Sequence, residues 1–183
     1  MLDAVTLVAL AGLVFWVAWT FNRLVRFRNR TRSGWSDIDV QLQRRHDLIP
    51  QLVEAVQGYA RFEQTTLTMI TELRILSTHA THLTEKAAAE ENIADLAKQL
   101  IAVAEDYPDL KASQNFLSLQ NELRDTEDML QYARRFYNGA VREYNTQLQS
   151  FPDLIVARSF GFKTSEFFSA EAGATKPVEV RFE

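Results

Sequence analysis

Cysteine is absent from the 183 residues, which removes disulfide scaffolds, thiolate metal sites and cysteine nucleophiles. Glycine and proline are scarce: six and four, 10 of 183 residues or about 5 per cent, against a typical ~12 per cent. Neither occurs between Gly58 and Pro108, nor between Pro108 and Gly139. β-Sandwiches and doubly wound folds need turn punctuation every ~8–12 residues, so the scarcity points to an all-α protein. Also missing are G-x-x-x-x-G-K, G-x-G-x-x-G, H-E-x-x-H and G-x-S-x-G. Their joint absence points away from an enzyme, and no cofactor or metal is expected. Low complexity is lacking too, and 46 per cent apolar side chains suit a folded chain rather than a disordered one.

Charge is missing from one place in particular. The 19 residues 4–22, AVTLVALAGLVFWVAWTFN, carry no ionisable side chain. A helix of ~20 apolar residues at ~1.5 Å each crosses the ~30 Å hydrocarbon core, so Ala4 to Asn22 reads as a transmembrane helix. Trp16, Trp19 and Phe21 fall near one end, where interfacial aromatics belong. A cleavable signal peptide has positive charge before its apolar run and a small-residue site after it. Here the order is reversed. Arg23, Arg26, Arg28, Arg30 and Arg32 follow the run within ten residues, with no acid among them. Cytoplasmic flanks carry such an excess, which predicts a single-pass protein of a bacterial inner membrane, N-terminus outside and residues 23–183 in the cytoplasm. With Asp3 and these five arginines set aside, the net charge of −4 leaves −8 for residues 33–183. A body that acidic repels phosphate, so the arginines are assigned to membrane lipid headgroups and not to nucleic acid.

From Trp35 the positions Trp35, Ile38, Leu42, His46, Ile49, Val53, Val56 and Ala60 step by 3 and 4 along one helix face. The pattern resumes at Leu67 and runs to Leu76. Pro50 lies inside it, cannot donate to the His46 carbonyl, and predicts a kink. A second helix is expected from Thr84 as N-cap to Pro108. The third spans residues 113–150, with Phe116, Leu119, Leu123, Thr126, Leu130, Ala133, Tyr137, Ala140 and Tyr144 in unbroken 3–4 alternation. Pro152 stops it. The expected architecture is a transmembrane helix followed by a long antiparallel up-and-down bundle, three long helices and a short C-terminal one resembling a four-helix bundle. The segments are 1–22 for stub and anchor, 23–34 for the basic collar, 35–151 for the bundle, and 152–183 for an apolar segment and flexible tail.

Four blocks carry a resemblance to the LemA family: RLVRFRNRTRSGWSDIDVQLQRRHDLIPQLVEAVQGYA from Arg23, AEDYPDLKASQNFLSLQNEL, TEDMLQYARRFYNGAVREYN, and SFPDLIVARSFGFK with Phe167 and Phe168 beyond it. They occur in the family's order over residues 23–168. The resemblance implies a bacterial single-pass membrane protein with a helical-bundle body, and it brings no biochemical activity or catalytic residue with it. Trp35, His46, Pro50, Tyr137 and Tyr144 fall in these blocks as structural positions. Residues 65–90 contain no such block.

The remaining candidates for chemistry are few. His46 lies on the apolar face with Leu42 and Ile49 and lacks a positioned second group, so it reads as a structural histidine, with a pH-responsive or catalytic role as the rival. His79 and His82, spaced i and i+3 with Glu85 following, could present imidazoles to one metal, but their threonine-rich surroundings read as a solvated loop. Arg44 with Arg45, Asp37 with Asp39, and Arg134 with Arg135 read as solvated helix surface. Tyr137–Asn138 and Tyr144–Asn145 repeat one heptad apart, and the asparagines suggest register control. Five of the twelve phenylalanines cluster at Phe151, Phe160, Phe162, Phe167 and Phe168. Leu154 to Ala157 is expected to fold back in cis. Phe167 and Phe168, after the seemingly flexible GFKTSE, are expected on a second copy or on the membrane. The function that follows is a membrane-anchored scaffold or adaptor that self-associates as a homo-oligomer and organises as yet unidentified protein partners. An accessory, sensor or hydrolase role centred on His46 is the alternative.

Overall fold

A computed structural model describes residues 2–57, 72, 75, 79–80, 82–104 and 106–168. Among these residues the regular structure is all helical: α1 Leu2–Gln57, α2 Leu83–Ala104, α3 Pro108–Lys111, α4 Gln114–Gln149 and α5 Asp153–Ser159. The chain forms two compact units. One joins α1 up to Ile38 with Tyr132–Phe167, and the other comprises Asp39–Gln131 together with Phe168.

In the first unit the partners of α1 run backwards along α4. Arg30 pairs with Glu143 and Trp35 packs on Tyr137, so the two helices are antiparallel. Leu24 sits at the centre of a cluster with Tyr144, Leu148, Val156 and Ala157. In the second unit α1 and α2 run in the same direction, because Asp39 pairs with Lys86 and Arg45 with Glu90. Its core is Leu48, Ile49, Leu52, Val53 and Val56 from α1, Ile93, Ala97, Leu100 and Ala104 from α2, and Phe116, Leu119 and Leu123 from α4, with Leu110 of α3 beneath them. All nine positions of the 3–4 pattern read for the third long helix are buried on α4. That is what unbroken heptad spacing requires of a seam.

The reading of one long first helix fits the structure, and two boundaries further on, at Thr84 and at Pro108, differ from expectation for identifiable reasons. Helix α1 is one helix across residues 22 and 34, without a break at the collar, and it continues through Pro50. Its extension to Leu76 lies outside the described residues. Helix α2 begins a residue before Thr84, because the Lys86 amide already donates to the His82 carbonyl. Pro108 does not end α2. It opens α3 at the first helical position, where its missing N–H costs nothing, and holds Tyr107 extended ahead of it.

Gly34 marks the closest approach of α1 to α4. A Cβ there would lie 3.0 Å from Phe136 Cδ1 and 3.2 Å from the Tyr137 Cα, whereas one at Gly139 would meet nothing within 4 Å. The half-exposed Phe136 ring can yield, but the backbone at Tyr137 cannot. Gly34→Val should therefore destabilise by about 1–3 kcal/mol through overpacking. Gly139→Ala should stabilise by ~0.5–1 kcal/mol through helix propensity alone. Denaturant unfolding of both variants in detergent checks the pair, and equal shifts would contradict the close packing.

Candidate functional site

The apolar end of α1 is long and apolar enough to cross a membrane. Its side chains are turned outwards: Val8 is 73 per cent and Phe15 74 per cent exposed. A soluble protein does not leave such a row in water. Ala4 lies in this exposed part. The surroundings change at Trp16, which with Val17 and Phe21 packs partly against the cluster around Leu24, and Thr20 is fully buried. Anchor and body therefore share a contact surface and do not separate at residue 22.

Helix α5 supplies that contact. Its end is set by Gly161, whose φ of +67° is the left-handed region that glycine enters without strain. The Gly161 amide donates to the Arg158 carbonyl and the Phe162 amide to that of Ala157. This is a Schellman stop, and it turns the chain back along the helix flank. Phe160 and Phe162 then meet Phe21 edge-on, with ring centroids 5.0 and 5.5 Å away. The collar braces the same contact. Arg23 forms an ion pair with the buried Asp153 and lies 4.8 Å above Trp19. Arg28 lies 5.4 Å over Phe162, and Arg30 pairs with Glu143 at 2.7 Å. Arg26 and Arg32 are exposed.

The segment after Phe162 is fastened, and not a flexible linker. Asn145 donates from Nδ2 to the Ser165 carbonyl and accepts the Ser165 amide at Oδ1, at 2.8 and 2.9 Å. The Tyr137 hydroxyl donates to the Glu166 carbonyl at 2.8 Å. Burial holds the Tyr137 phenol above its ordinary range, which keeps that donor protonated. Burial raises Tyr144 likewise, against the pull of Arg28 and Arg32. Asn145 thus anchors a crossing strand of chain instead of setting register in a seam. Phe168, expected on a second copy or on the membrane, is 4 per cent exposed and is covered by the chain itself, while Phe167 is half exposed. The fastened backbone delivers it there.

The second unit holds a different constellation. Arg45, read from sequence as solvated, is 1 per cent exposed. Its Nη1 donates to Glu90 Oε2 at 2.9 Å and to the Glu90 carbonyl at 3.0 Å, and its Nη2 donates to Glu127 at 2.6 Å. His46 Nε2 lies 2.8 Å from the other Glu90 oxygen. Glu90 is fully buried, and its two oxygens are thus each engaged, one by the Arg45 guanidinium and one by the His46 imidazole. Sequence reasoning missed both Arg45 and Glu90, although each stands at seam spacing. Arg45 falls between Leu42 and Ile49, and Glu90 between Ala87 and Ile93. Beside Glu127 a groove of about 260 Å³ opens between α2 and α4, lined by Ala97, Lys98, Ile101, Leu123 and Arg124 among others. His46 does not line it. His79 and His82 are exposed, and no group of three or more metal-ligating side chains occurs among the described residues.

Comparison with known proteins agrees with this picture. A model of the LemA family matches residues 34–182. Protein LemA of Metamycoplasma hominis is 29 per cent identical over 150 residues, covering 81 per cent of this chain and 68 per cent of that protein. Magnetosome protein MamQ 2 of Paramagnetospirillum magneticum is 20 per cent identical over 203 aligned positions, covering 97 and 75 per cent of the two chains. Magnetosome protein MamQ of Magnetospirillum gryphiswaldense is 20 per cent identical over 201, covering 96 and 74 per cent.

The buried cluster sets a stability test. Removing one partner of a buried pair costs about 3–5 kcal/mol, whereas apolar replacement of the whole group is often neutral or better. Glu90→Gln should therefore lower the unfolding free energy by about 3 kcal/mol or more. Arg45→Met with Glu90→Leu and His46→Leu should recover most of the loss. Circular dichroism melts of both variants measure it. An unchanged midpoint for Glu90→Gln would mean that water reaches the cluster.

Proposed function

The chain belongs to the LemA family, and from that premise we propose that it is a single-pass, membrane-anchored helical scaffold. Its N-terminus lies outside a bacterial inner membrane, and its body holds further copies of itself and other proteins at the cytoplasmic face. The observation that carries this reading is α1 itself. An exposed apolar end, a run of five arginines and a packed bundle strand follow one another on one uninterrupted helix. Such a helix transmits position and orientation from a membrane to a protein body without a hinge. The arginine excess sets the orientation.

Self-association has a surface to work with. Tyr132 and Phe136 stand exposed one turn apart on α4, with Arg135 4.7 Å over the first ring and Arg30 5.5 Å over the second. Exposed aromatics paired with arginine are the composition that interfaces favour. Parallel anchors also raise the effective concentration of neighbouring bodies. Against catalysis stands the use of His46: its Nε2 is taken up by Glu90, and the residues lining the groove beside Glu127 include no serine, threonine, histidine or tyrosine.

Two measurements test the proposal. A cytoplasm-dependent fluorescent protein fused to the C-terminus should fluoresce and a periplasmic phosphatase at the same place should stay inactive, the reverse overturning the orientation. Copies bearing different tags should co-purify from detergent, and Tyr132→Ser, at the more exposed ring, should weaken this while leaving the melting curve unchanged. Monomers only, by native mass spectrometry of the unaltered protein in detergent, would refute self-association.

A further inference from the structure

An apolar groove of about 440 Å³ lies against the first unit, lined by Leu13, Val14, Val17, Ala18, Phe21 and Asn22 of α1 and closed on one side by Phe160. All but the last residue belong to the uncharged run. That run of 19 residues rises about 28 Å, so its final turns lie at the edge of the hydrocarbon if it spans. Phe160, 5.0 Å from Phe21, is therefore held at that same depth. Its ring is half exposed, and Phe151 and Ile155 of the same corner are exposed as well, Phe151 by 82 per cent. Such a corner facing water would leave three large apolar side chains hydrated at once.

The ridge that lines the groove leads on to a charge one turn beyond it. Val14, Ala18 and Asn22 follow at intervals of four, which keeps them on one ridge of the helix, and the next position on that ridge is Arg26. Arg23 and Arg30 are held by Asp153 and Glu143, and Arg28 lies over a ring, whereas Arg26 is exposed with no acid beside it among the described residues. An apolar channel with a free guanidinium one turn beyond it complements a molecule with a long hydrocarbon chain and an anionic head. We propose that this groove seats an acyl chain of an anionic phospholipid from the leaflet that the arginine collar faces, with its phosphate on Arg26. The assignment rests on residues 4–22 spanning the membrane. It makes the corner from Phe151 to Phe162 a lipid-contacting part of the body and Arg26 its headgroup ligand.

The full-length protein in phosphatidylcholine nanodiscs, doped with phosphatidylglycerol carrying a diazirine on its acyl chain, tests this directly. After irradiation and trypsin digestion, the Ser159–Lys163 peptide should carry the lipid, as should α1. Ala18→Trp fills the groove and should remove the label from Ser159–Lys163 while leaving it on α1. Arg26→Gln should reduce the preference for phosphatidylglycerol over an equally labelled phosphatidylcholine by about fivefold, the weight of one basic group at an anionic surface. Label on α1 alone overturns the proposal and leaves the span intact, whereas label on neither removes the span as well. Label on Ser159–Lys163 that survives Ala18→Trp means general immersion without a groove, and overturns it too. An unchanged headgroup preference in Arg26→Gln removes the phosphate site. A photoreactive residue at Val14 that captures a second copy in place of lipid assigns the groove to protein.

Discussion

From Leu2 to Ile38 α1 contains no proline, so its hydrogen-bond ladder is unbroken there and every change in its surroundings is accommodated by side chains. Up to Phe15 all its faces are outward and apolar. From Trp16 onwards one face is covered, first by α5 and then by α4, and the covered face advances in steps of 3 and 4 through Thr20, Leu24, Phe27, Thr31, Gly34 and Ile38. The remaining faces turn from apolar to arginine at residue 23. One helical repeat thus serves successively as anchor, collar and bundle strand. Within the first unit this unbroken ladder keeps α1 straight enough for α5 to hold Phe160 against a particular turn of the apolar run.

Much of this was legible in the sequence. The long uncharged run and the flawless alternation on α4 are long-range regularities, and chance rarely produces either over so many residues. They identified the helix long and apolar enough to span a membrane and the seam, and all nine seam positions are buried as read. The arginine collar was equally legible as a pattern, but its internal division was not. Whether Arg23 meets an acid or a headgroup depends on Asp153, which lies 130 positions away.

What stayed illegible has a common cause. Charged residues were read as surface because that is where isolated charges are stable. A buried charge becomes tolerable only when an opposite charge arrives from elsewhere in the fold, so neither partner announces itself alone. Arg45 and Glu90 are 45 positions apart, and the second lies in a stretch without any recognisable motif. The available signal was joint: an arginine and a glutamate of opposite sign, each occupying a step in its own apolar stripe. The same reasoning explains Asn145, whose amide fits a seam or a crossing chain equally well until the Ser165 backbone is placed beside it.

The buried charges also answer a problem that the seam creates. A helix with perfect 3–4 alternation can slide by one heptad and still present apolar residues, so hydrophobic burial alone does not select its register. A slide of seven residues moves each side chain about 10 Å along the axis. On α4 that would take Glu127 out of reach of Arg45, stranding one oppositely charged partner of a buried guanidinium in the second unit. In the first unit it would separate Glu143 from Arg30 and lift the Tyr137 hydroxyl off the Glu166 carbonyl. The exposed Arg30–Glu143 pair contributes little to that discrimination, since such pairs are worth ~0–1 kcal/mol. The Arg45–Glu127 pair contributes more, because Nη2 of a buried guanidinium would lose its acceptor while Glu90 keeps the other. A cluster that adds little net stability can still decide which of several equally apolar alignments is the native one.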